Sequence, residues 1–466
     1  MNRSKKLCIL LGLLAAACVA TFAVMQMEER KEQIKNSDAI ILELPSESVE
    51  ALSWECGGNS LAFHKDETWL YDGDENFPVS EEKINELLEQ FQAFGAAFII
   101  EDVEDYDQYG LDAPVCTIKL STAEQTYEFK LGDYSKMDSQ RYVSIGDGNV
   151  YLVKHDPLDE FDAVLSELID HDKIPSFDHV TRIQFAGAES YSISYEEESS
   201  DTCSADDVYF TRRNGQNLPL DTSRVESYLR NITSLNPVDY VTYDATVEEL
   251  QTYGLDAPEL TVTVDYTAEG EEGEELADTF VLSVSPDPED VKAAEEAEDS
   301  GQDAEISAYI RVGESQIVYR ISAGSYKKLA AASYDDLRHP EVLWADFSDV
   351  RQIDIALEGD DYTLTAEKDG DERVWRYQEE EIEISGLRDG LDSLTASEFT
   401  SERPTQKEEI SLTVHLDNEN FPQVQIRLYR YDGSRCLAVV DGESVSLVER
   451  AAVVDLMEAV YAVVLN

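Results

Sequence analysis

Apolar and polar residues alternate along most of this chain, and one alternating pattern opens three long segments. A valine, two further residues, an aliphatic residue, one more residue and a large apolar residue occur at Val49–Trp54, Val180–Phe185 and Val350–Ile355. Alternation with a period of two is typical of strands that bury one face in a core. The three copies therefore predict three domains, each beginning with a strand of a sheet.

Each opening strand is followed by a predicted hairpin and then by an amphipathic helix. Apolar residues step by 3, 1, 3 and 3 along Ile84–Phe94 and again along Val225–Leu235, which makes one stripe on a helix. Ser80 and Asp221 precede these stripes and are suited to cap the helices. The third segment keeps a weaker stripe, loosened by glycines that include Gly390. All three domains are therefore predicted to pair a sheet with a helix.

A six-residue motif, Tyr-Gly-Leu-Asp-Ala-Pro, occurs twice, 144 positions apart, which is the length of a domain rather than of a solenoid repeat. Glycine permits the positive φ that a tight turn often requires, and proline disfavours helix at the residue before it. The motif is therefore predicted to be a corner that directs the next strand into the sheet. Besides Ala113 and Ala257, its residues are Tyr109, Gly110, Leu111, Asp112 and Pro114 in the first copy and Tyr253, Gly254, Leu255, Asp256 and Pro258 in the second.

The aspartates of this motif leave two interpretations open. Asp112 and Asp256 fit a turn in which the carboxylate bonds to its own backbone, and they also fit ligand binding. The third segment has no copy of the motif, and Arg403 and Pro404 stand in its place. The third domain is therefore predicted to be a degenerate repeat.

A hairpin and a short helix close each predicted domain; in the third, the turn of the hairpin is Asp441-Gly442. The patterns together predict an α+β fold, with tandem repeated domains of mainly antiparallel sheet and packed helices after one N-terminal transmembrane helix. The predicted segments are a cytoplasmic tip and transmembrane anchor over 1–28, a stalk over 29–47, α+β repeats over 48–172 and 176–340, and the degenerate third repeat over 346–466.

The N-terminus carries the pattern of a membrane anchor. An uncharged run of 19 residues, Leu7–Met25, follows Arg3, Lys5 and Lys6. A run of this length spans a bilayer as a helix, and the basic residues place the N-terminus in the cytoplasm and the body outside it. Two alternatives stay open: lipidation at Cys18, and secretion after cleavage of the segment.

The charge of the chain excludes one class of partner. The chain has 36 Lys and Arg against 99 Asp and Glu, a formal net charge of −63. Such a surface repels phosphate backbones, so no nucleic-acid partner is expected. Solvation is the ordinary role of these carboxylates, and weak binding of divalent cations is the alternative. The acidic stretch 268–305 predicts a disordered insertion in the second repeat.

Motifs of known chemistry are not found in the sequence. It has no G-x-S-x-G elbow, no phosphate-binding glycine loop and no H-x-x-x-H pair for zinc. We therefore expect no enzymatic activity, no cofactor and no metal. Trp69 and Trp375 occupy equivalent places in their repeats, which fits core packing and, as an alternative, a ligand platform. The extracytoplasmic cysteines Cys56, Cys116, Cys203 and Cys436 form no C-x-x-C motif, and both disulfides and free buried thiols stay open.

With its anchor and its doubled motif, the chain resembles the bacterial family known as domain of unknown function 4340. The resemblance covers roughly Val49–Asn466 and is strongest at Tyr109–Pro114 and Tyr253–Pro258. It implies a single-pass protein of the cell envelope whose body lies outside the cytoplasm. It also implies, by association with some members of the family, an accessory or scaffold role beside an ABC-type transport system, with a transporter or envelope protein as partner. The alternative expectation is an extracellular module that binds a small molecule or a glycan.

Overall fold

The computed structural model describes residues 39–101, 103–269, 274–298, 304–369 and 372–465. The chain divides into two compact units, and the boundary lies between His171 and Asp172. The first unit contains one nine-stranded antiparallel sheet, and the second contains two. The predicted anchor over residues 1–28 lies outside the described residues. In the part of the chain that is described, no helix combines the length and apolar character needed to cross a membrane.

The first sheet is built from the strands between residues 39 and 153. Its nine strands are β1 Ala39–Leu42, β2 Val49–Cys56, β3 Asn59–Lys65, β4 Trp69–Tyr71, β5 Phe94–Ile100, β6 Cys116–Thr122, β7 Thr126–Ser135, β8 Gln140–Ser144 and β9 Val150–Val153. Their order across the sheet is β1-β5-β9-β8-β7-β6-β2-β3-β4. Two helices, α1 Glu81–Glu89 and α2 Leu158–Phe161, accompany this sheet.

Helix α1 forms where its apolar stripe predicts, but it ends earlier than the stripe does. The Ser80 side chain caps it by accepting a hydrogen bond from the Lys83 backbone N–H. The stripe continues to Phe91 and Phe94, yet Phe91 lies in the turn after the helix and Phe94 begins β5. Both phenylalanines are buried, and their ring centroids lie 5.3 Å apart. The residues of one apolar stripe are therefore divided among a helix, a turn and a strand.

The second sheet is built from the strands between residues 179 and 321. They are β10 His179–Gly187, β11 Tyr191–Tyr195, β12 Tyr209–Arg213, β13 Gln216–Pro219, β14 Tyr240–Thr242, β15 Leu260–Glu269, β16 Glu275–Pro286, β17 Ala308–Val312 and β18 Val318–Ile321. Their order is β13-β12-β11-β10-β15-β16-β17-β18-β14. The helices of this segment are α3 Thr222–Thr233, α4 Val247–Thr252, α5 Pro288–Glu298, α6 Ala323–Ala330 and α7 Tyr334–Leu337. Asp221 caps α3 through the backbone N–H of Arg224.

The third sheet is built from the strands between residues 350 and 449. They are β19 Val350–Leu357, β20 Asp360–Asp369, β21 Glu372–Tyr377, β22 Glu380–Glu381, β23 Ala396–Phe399, β24 Glu408–Leu416, β25 Gln423–Arg430, β26 Arg435–Val440 and β27 Glu443–Glu449. Their order is β22-β21-β20-β19-β24-β25-β26-β27-β23. Helices α8 Ser385–Asp392 and α9 Arg450–Val464 pack against each other. Gly390 is buried in this contact, where a Cβ would lie 3.2 Å from the Leu456 Cα, so the glycine allows the two helices to approach closely.

Eight strands follow the same order in all three sheets. In the first sheet this shared order is β5-β9-β8-β7-β6-β2-β3-β4, and the same path runs from β14 to β12 in the second and from β23 to β21 in the third. The ninth strand differs, because the first sheet adds β1 beside β5 while the others add β13 or β22 at the opposite edge. The predicted α+β architecture of repeated antiparallel sheets is confirmed. The third segment keeps the complete shared order even though it lacks the six-residue motif.

Two predictions about irregular segments are corrected by the structure. Part of the predicted stalk is a strand, because Ala39–Leu42 forms β1 and pairs with β5. The predicted disordered insertion over 268–305 contains strand β16, helix α5 and the end of β15. Strand β15 pairs with β16 along the whole length of β15, from Leu260 opposite Val284 to Glu269 opposite Glu275. Ladder hydrogen bonds thus order a stretch whose acidic composition alone indicates disorder.

Candidate functional site

Both copies of the six-residue motif form a tight turn that leads into a strand of their sheet. Gly110 and Gly254 have φ values of 70° and 69°, in the left-handed region that favours glycine. The backbone N–H of Leu111 donates to the Tyr106 carbonyl, and that of Leu255 donates to the Leu250 carbonyl. The two turns lead into β6 and β15, which hold equivalent places in their sheets.

The side chains of the motif divide into buried and exposed groups. Leu111 and Leu255 are buried, with 3% and 4% of their surface exposed. The ring of Tyr109 lies 5.0 Å from that of Tyr142, and Tyr253 lies 4.7 Å from Tyr309 in the second repeat. These contacts hold each turn against the closing hairpin of its own sheet.

The motif aspartates have a different environment from the one expected for turn residues. Asp112 and Asp256 are exposed, and their carboxylates make no hydrogen bond to any described residue. The backbone-bonding interpretation therefore does not describe them, and ligand binding stays a prediction. Trp69 and Trp375 are both buried in the cores of their sheets, at 3% and 4% exposure, which supports the packing interpretation over a ligand platform.

A polar groove of about 800 Å³ lies on the first repeat, between α1 and the β8–β9 region. Arg141 lies in its wall and is nearly buried, and its Nε donates to both oxygens of Asp156 at 2.6 and 2.8 Å. Its Nη1 also donates to the Gly132 carbonyl. The exposed ring of Tyr134 lies 5.7 Å from the Arg141 guanidinium and lines the same groove. The groove therefore offers charged and aromatic groups on a fixed frame.

A second cluster of ionisable groups lies in the other unit, and we refer to Asp207, Asp221, His339 and Glu341 as the histidine cluster. Asp207 belongs to the loop between β11 and β12, and Asp221 caps α3. His339 and Glu341 belong to the segment that connects α7 to the third sheet. Pro340 disfavours helix at His339, and in extended chain alternate residues lie on one side, which brings His339 and Glu341 together.

Geometry within the histidine cluster fixes the imidazole on three sides. The Nε2 of His339 lies 3.0 Å from an oxygen of Asp207. Asp207 is buried, with 4% of its surface exposed, and it also accepts a hydrogen bond from the Thr202 hydroxyl. The Nδ1 of His339 lies 3.8 Å from Glu341. The ring stacks on Trp344, with 5.1 Å between centroids and 9° between planes.

Electrostatics within the cluster favour the protonated imidazole when no other cation is present. Burial lowers the pKa of His339, but the hydrogen bonds to Asp207 and Glu341 outweigh it and raise the pKa to about 9. The interaction with His339 in turn holds the pKa of Glu341 below its usual value. Arg224 also contributes positive charge beside the cluster, since its Nε lies 3.6 Å from an oxygen of Asp221 and its charge helps to lower the pKa of Glu341.

Donor atoms from Asp221, His339 and Glu341 all lie within 4.8 Å of one another, an arrangement that could hold a metal ion. The sequence predicts no metal site, and this group could not be identified from its motifs. His339 and Glu341 are two positions apart, but Asp221 and Asp207 are more than 100 residues upstream, and Asp221 was recognised only as a helix cap. The spacing His-Pro-Glu before the third repeat was the one local signal.

Comparison with known proteins gives a family and no activity. The family model described as Domain of unknown function (DUF4340) matches residues 69–258 and, in a second overlapping match, 210–414. The first match begins at β4 and the second within β12, which are equivalent strands of the first two sheets. No curated protein matches the chain. Because the matches span more than half of its length, the chain belongs to the DUF4340 family.

Proposed function

We propose that this protein is a non-enzymatic, membrane-anchored scaffold of the cell envelope, whose body lies outside the cytoplasm and binds a protein partner. The observation that carries the proposal is the threefold repetition of one eight-stranded sheet on the C-terminal side of an apolar, uncharged run. Repetition of one fold multiplies surface without requiring a new active site, which suits a protein that assembles others.

The disulfide bond supports the proposed compartment. Cys56 on β2 and Cys116 on β6 are directly paired across the two strands and form a disulfide. Disulfides persist in oxidising compartments and are rare in the cytosol. With Leu7–Met25 as the anchor and basic residues before it, the body emerges on the outer side of the membrane.

Exposed apolar side chains at one edge of the first sheet support a protein partner near the membrane. Ile40, Phe98 and Ile99 on β1 and β5 are 52%, 40% and 38% exposed. Strand β1 is also the described strand closest in sequence to the proposed anchor. Exposed apolar groups at one edge, on a chain with a net charge of −63, favour a partner with an apolar surface rimmed by basic residues. An integral component of an ABC-type transport system is the partner class we propose.

Two measurements in intact cells test the proposal. An alkaline phosphatase fused after Leu465 should be active and a fluorescent protein at the same place dark, since the C-terminus would lie outside the cytoplasm. A photo-crosslinking amino acid at Phe98 should then capture a membrane component of a transport system. Leu276, 52% exposed in the other unit, provides the matched control position. An inactive phosphatase fusion, or equal capture of the membrane component from positions 98 and 276, would contradict the proposal.

Binding of a small molecule or glycan is the second candidate, and the groove beside Arg141 favours it. Tyr134 supplies an exposed aromatic ring there, as ligand sites commonly do. A thermal-shift screen of sugars, peptides and small ions should find a ligand whose effect disappears in Tyr134→Ala and persists in Tyr106→Ala, a tyrosine outside the groove. A flat response in the wild-type protein would remove this candidate.

A further inference from the structure

We propose that Asp221, His339 and Glu341 form a binding site for a divalent transition-metal cation of the zinc class, and that Asp207 positions the imidazole of that site. The inference is independent of the proposed scaffold function. It rests on the donor geometry, on the fixed orientation of the ring and on the types of the donors.

The donor atoms are close to the spacing that a metal ion requires. Zinc binds imidazole nitrogen and carboxylate oxygen at roughly 2.0–2.2 Å in tetrahedral geometry, so two of its ligands lie roughly 3.3–3.6 Å apart. The three donors of this site lie within 4.8 Å of one another, and Nδ1 of His339 is 3.8 Å from Glu341. A bound ion would draw these donors closer together and would compete with Arg224, whose Nε lies 3.6 Å from Asp221, for the Asp221 carboxylate.

The orientation of His339 is the one expected of a metal ligand. The Nε2–H of His339 donates a hydrogen bond to Asp207, and Nδ1 is the nitrogen that faces Glu341. Metal-binding histidines usually donate their second N–H to a carboxylate or carbonyl in this way, and the bond fixes both tautomer and ring plane. Asp207 is held in turn by Thr202, and stacking on Trp344 restricts rotation of the ring.

The donor types select the class of cation. Carboxylate and carbonyl oxygens alone suit Mg²⁺ and Ca²⁺, whereas an imidazole nitrogen favours zinc and its neighbours in the first transition row. The site also differs from the many acidic clusters of this chain, because its histidine is held by a buried carboxylate. The side chains of His339, Asp221 and Glu341 are 13%, 19% and 37% exposed, so an ion can enter and keep water as a further ligand.

A bound ion would join two parts of the second unit. Asp221 caps helix α3 of the second repeat, and its backbone N–H donates to the Leu337 carbonyl just before the connecting segment. His339 and Glu341 lie on that segment, whose Val342 N–H donates to the Leu394 carbonyl of the third repeat. Metal binding would therefore tie the connection between the second and third repeats to the helix of the second.

Zinc binding by the full-length chain, purified in detergent, tests the proposal. Affinity is measured by competition with a chromophoric chelator in millimolar Mg²⁺ and Ca²⁺, which saturate ordinary acidic clusters. One zinc ion per chain is expected. His339→Gln keeps a donor toward Asp207 but removes Nδ1, and Glu341→Gln removes the charge at the same size; each should weaken binding more than about a hundredfold. Asp207→Asn should weaken it by about 10- to 100-fold, as loss of an orienting partner does.

The matched control is His415→Gln on the third sheet. His415 also pairs with a carboxylate, its Nε2 lying 2.7 Å from Asp354, but it belongs to no group of three potential ligands in the described chain. Its variant should bind zinc as the wild type does. No zinc uptake by the wild type, or equal uptake by His339→Gln, would overturn the proposal.

X-ray absorption at the zinc edge gives a test that needs no variant. The wild-type complex should show a first shell of nitrogen and oxygen atoms with the outer-shell scattering of an imidazole. Sulfur in that shell would assign the ion to cysteine thiolates and would overturn the proposal; Cys203 and Cys436 are the free cysteines among the described residues.

Discussion

The two glycines of the repeated motif allow one substitution to be compared in two nearly identical turns. Gly110 and Gly254 have φ values within one degree of each other, so replacement by alanine imposes the same backbone penalty on both, roughly 1–2 kcal/mol. Their surroundings differ. At Gly110 a Cβ would lie 2.8 Å from the Asp133 Cγ and 2.9 Å from the Asp133 backbone nitrogen. At Gly254 the nearest atom would be the Ser285 Oγ, at 3.2 Å.

This difference predicts unequal losses of stability. The Ser285 Oγ donates to the Gly254 carbonyl and accepts from the Glu259 N–H, and it needs to shift only by a few tenths of an ångström to admit the Cβ. The Asp133 backbone nitrogen cannot move without shifting β7, and forcing an atom into filled space costs typically about 1–3 kcal/mol. Gly254→Ala should therefore lower the free energy of unfolding by roughly 1–2 kcal/mol, and Gly110→Ala by about 1–3 kcal/mol more.

Each glycine lies in a different compact unit, so the assay must report on the units separately. Urea unfolding with pulsed hydrogen exchange and mass spectrometry does so, because peptides from β6 and β15 follow their own sheets. The shift should be confined to the unit that carries the substitution. An equal loss in the two variants, or a larger loss for Gly254→Ala, would refute the assignment of the cost to Asp133.

Three further predictions follow from the structure. Replacing Cys56 and Cys116 by alanine opens a loop of 60 residues and should cost the first unit about 4 kcal/mol, measured by urea unfolding of oxidised wild type and variant. In metal-free protein with a chelator, His339 should titrate by NMR near pH 9. Because the pKa of His339 is higher in the folded than in the unfolded protein, its contribution to the free energy of unfolding is complete below about pH 6.5 and is lost as the pH rises through 9. His339→Gln should remove this pH dependence of the free energy of unfolding. Gly390→Val should separate α8 from α9 and lower the unfolding free energy of the third repeat by more than about 1 kcal/mol. Gly386→Val, where a Cβ meets open space, should leave that free energy unchanged or raise it by a few tenths of a kcal/mol, because valine has a higher helix propensity than glycine.

Strand alternation predicted most of the fold because each strand has one face in a core. The three opening strands, β2, β10 and β19, have buried residues at the positions that the pattern indicates, with Val49, Leu52 and Trp54 all below 3% exposed in the first. Local spacing was enough there, since the period of a strand is set by its own backbone. The third repeat shows the same point, because its alternation specifies the shared strand order without any copy of the motif.

Elements at edges and ends were harder to predict, because their stability comes from distant partners. Strand β1 is four residues long and exists through pairing with β5, more than 50 positions away. The acidic beginning of β16 is exposed and gains its order from the ladder with β15. The end of α1 was also predicted wrongly. The apolar stripe indicates which residues are buried, but it does not indicate where the helix ends and the chain turns.

The histidine cluster could not be predicted from the sequence for a related reason. Its residues are distant in sequence and come together only at the junction between the second and third repeats. The loop that supplies Asp207 also supplies Cys203, whose buried side chain packs with the core of the third sheet. The junction thus joins an apolar contact at Cys203 to a charged one at Asp207 and His339 within one loop. The three repeats use their apolar side chains to build the same kind of sheet core. The residues at the junction are not repeated, so a binding site that is absent from the repeats themselves can form there. Substitutions at Asp207 should therefore loosen the connection between the second and third repeats while leaving the strand order of both sheets unchanged, which hydrogen exchange in the connecting segment and in the two sheets would distinguish.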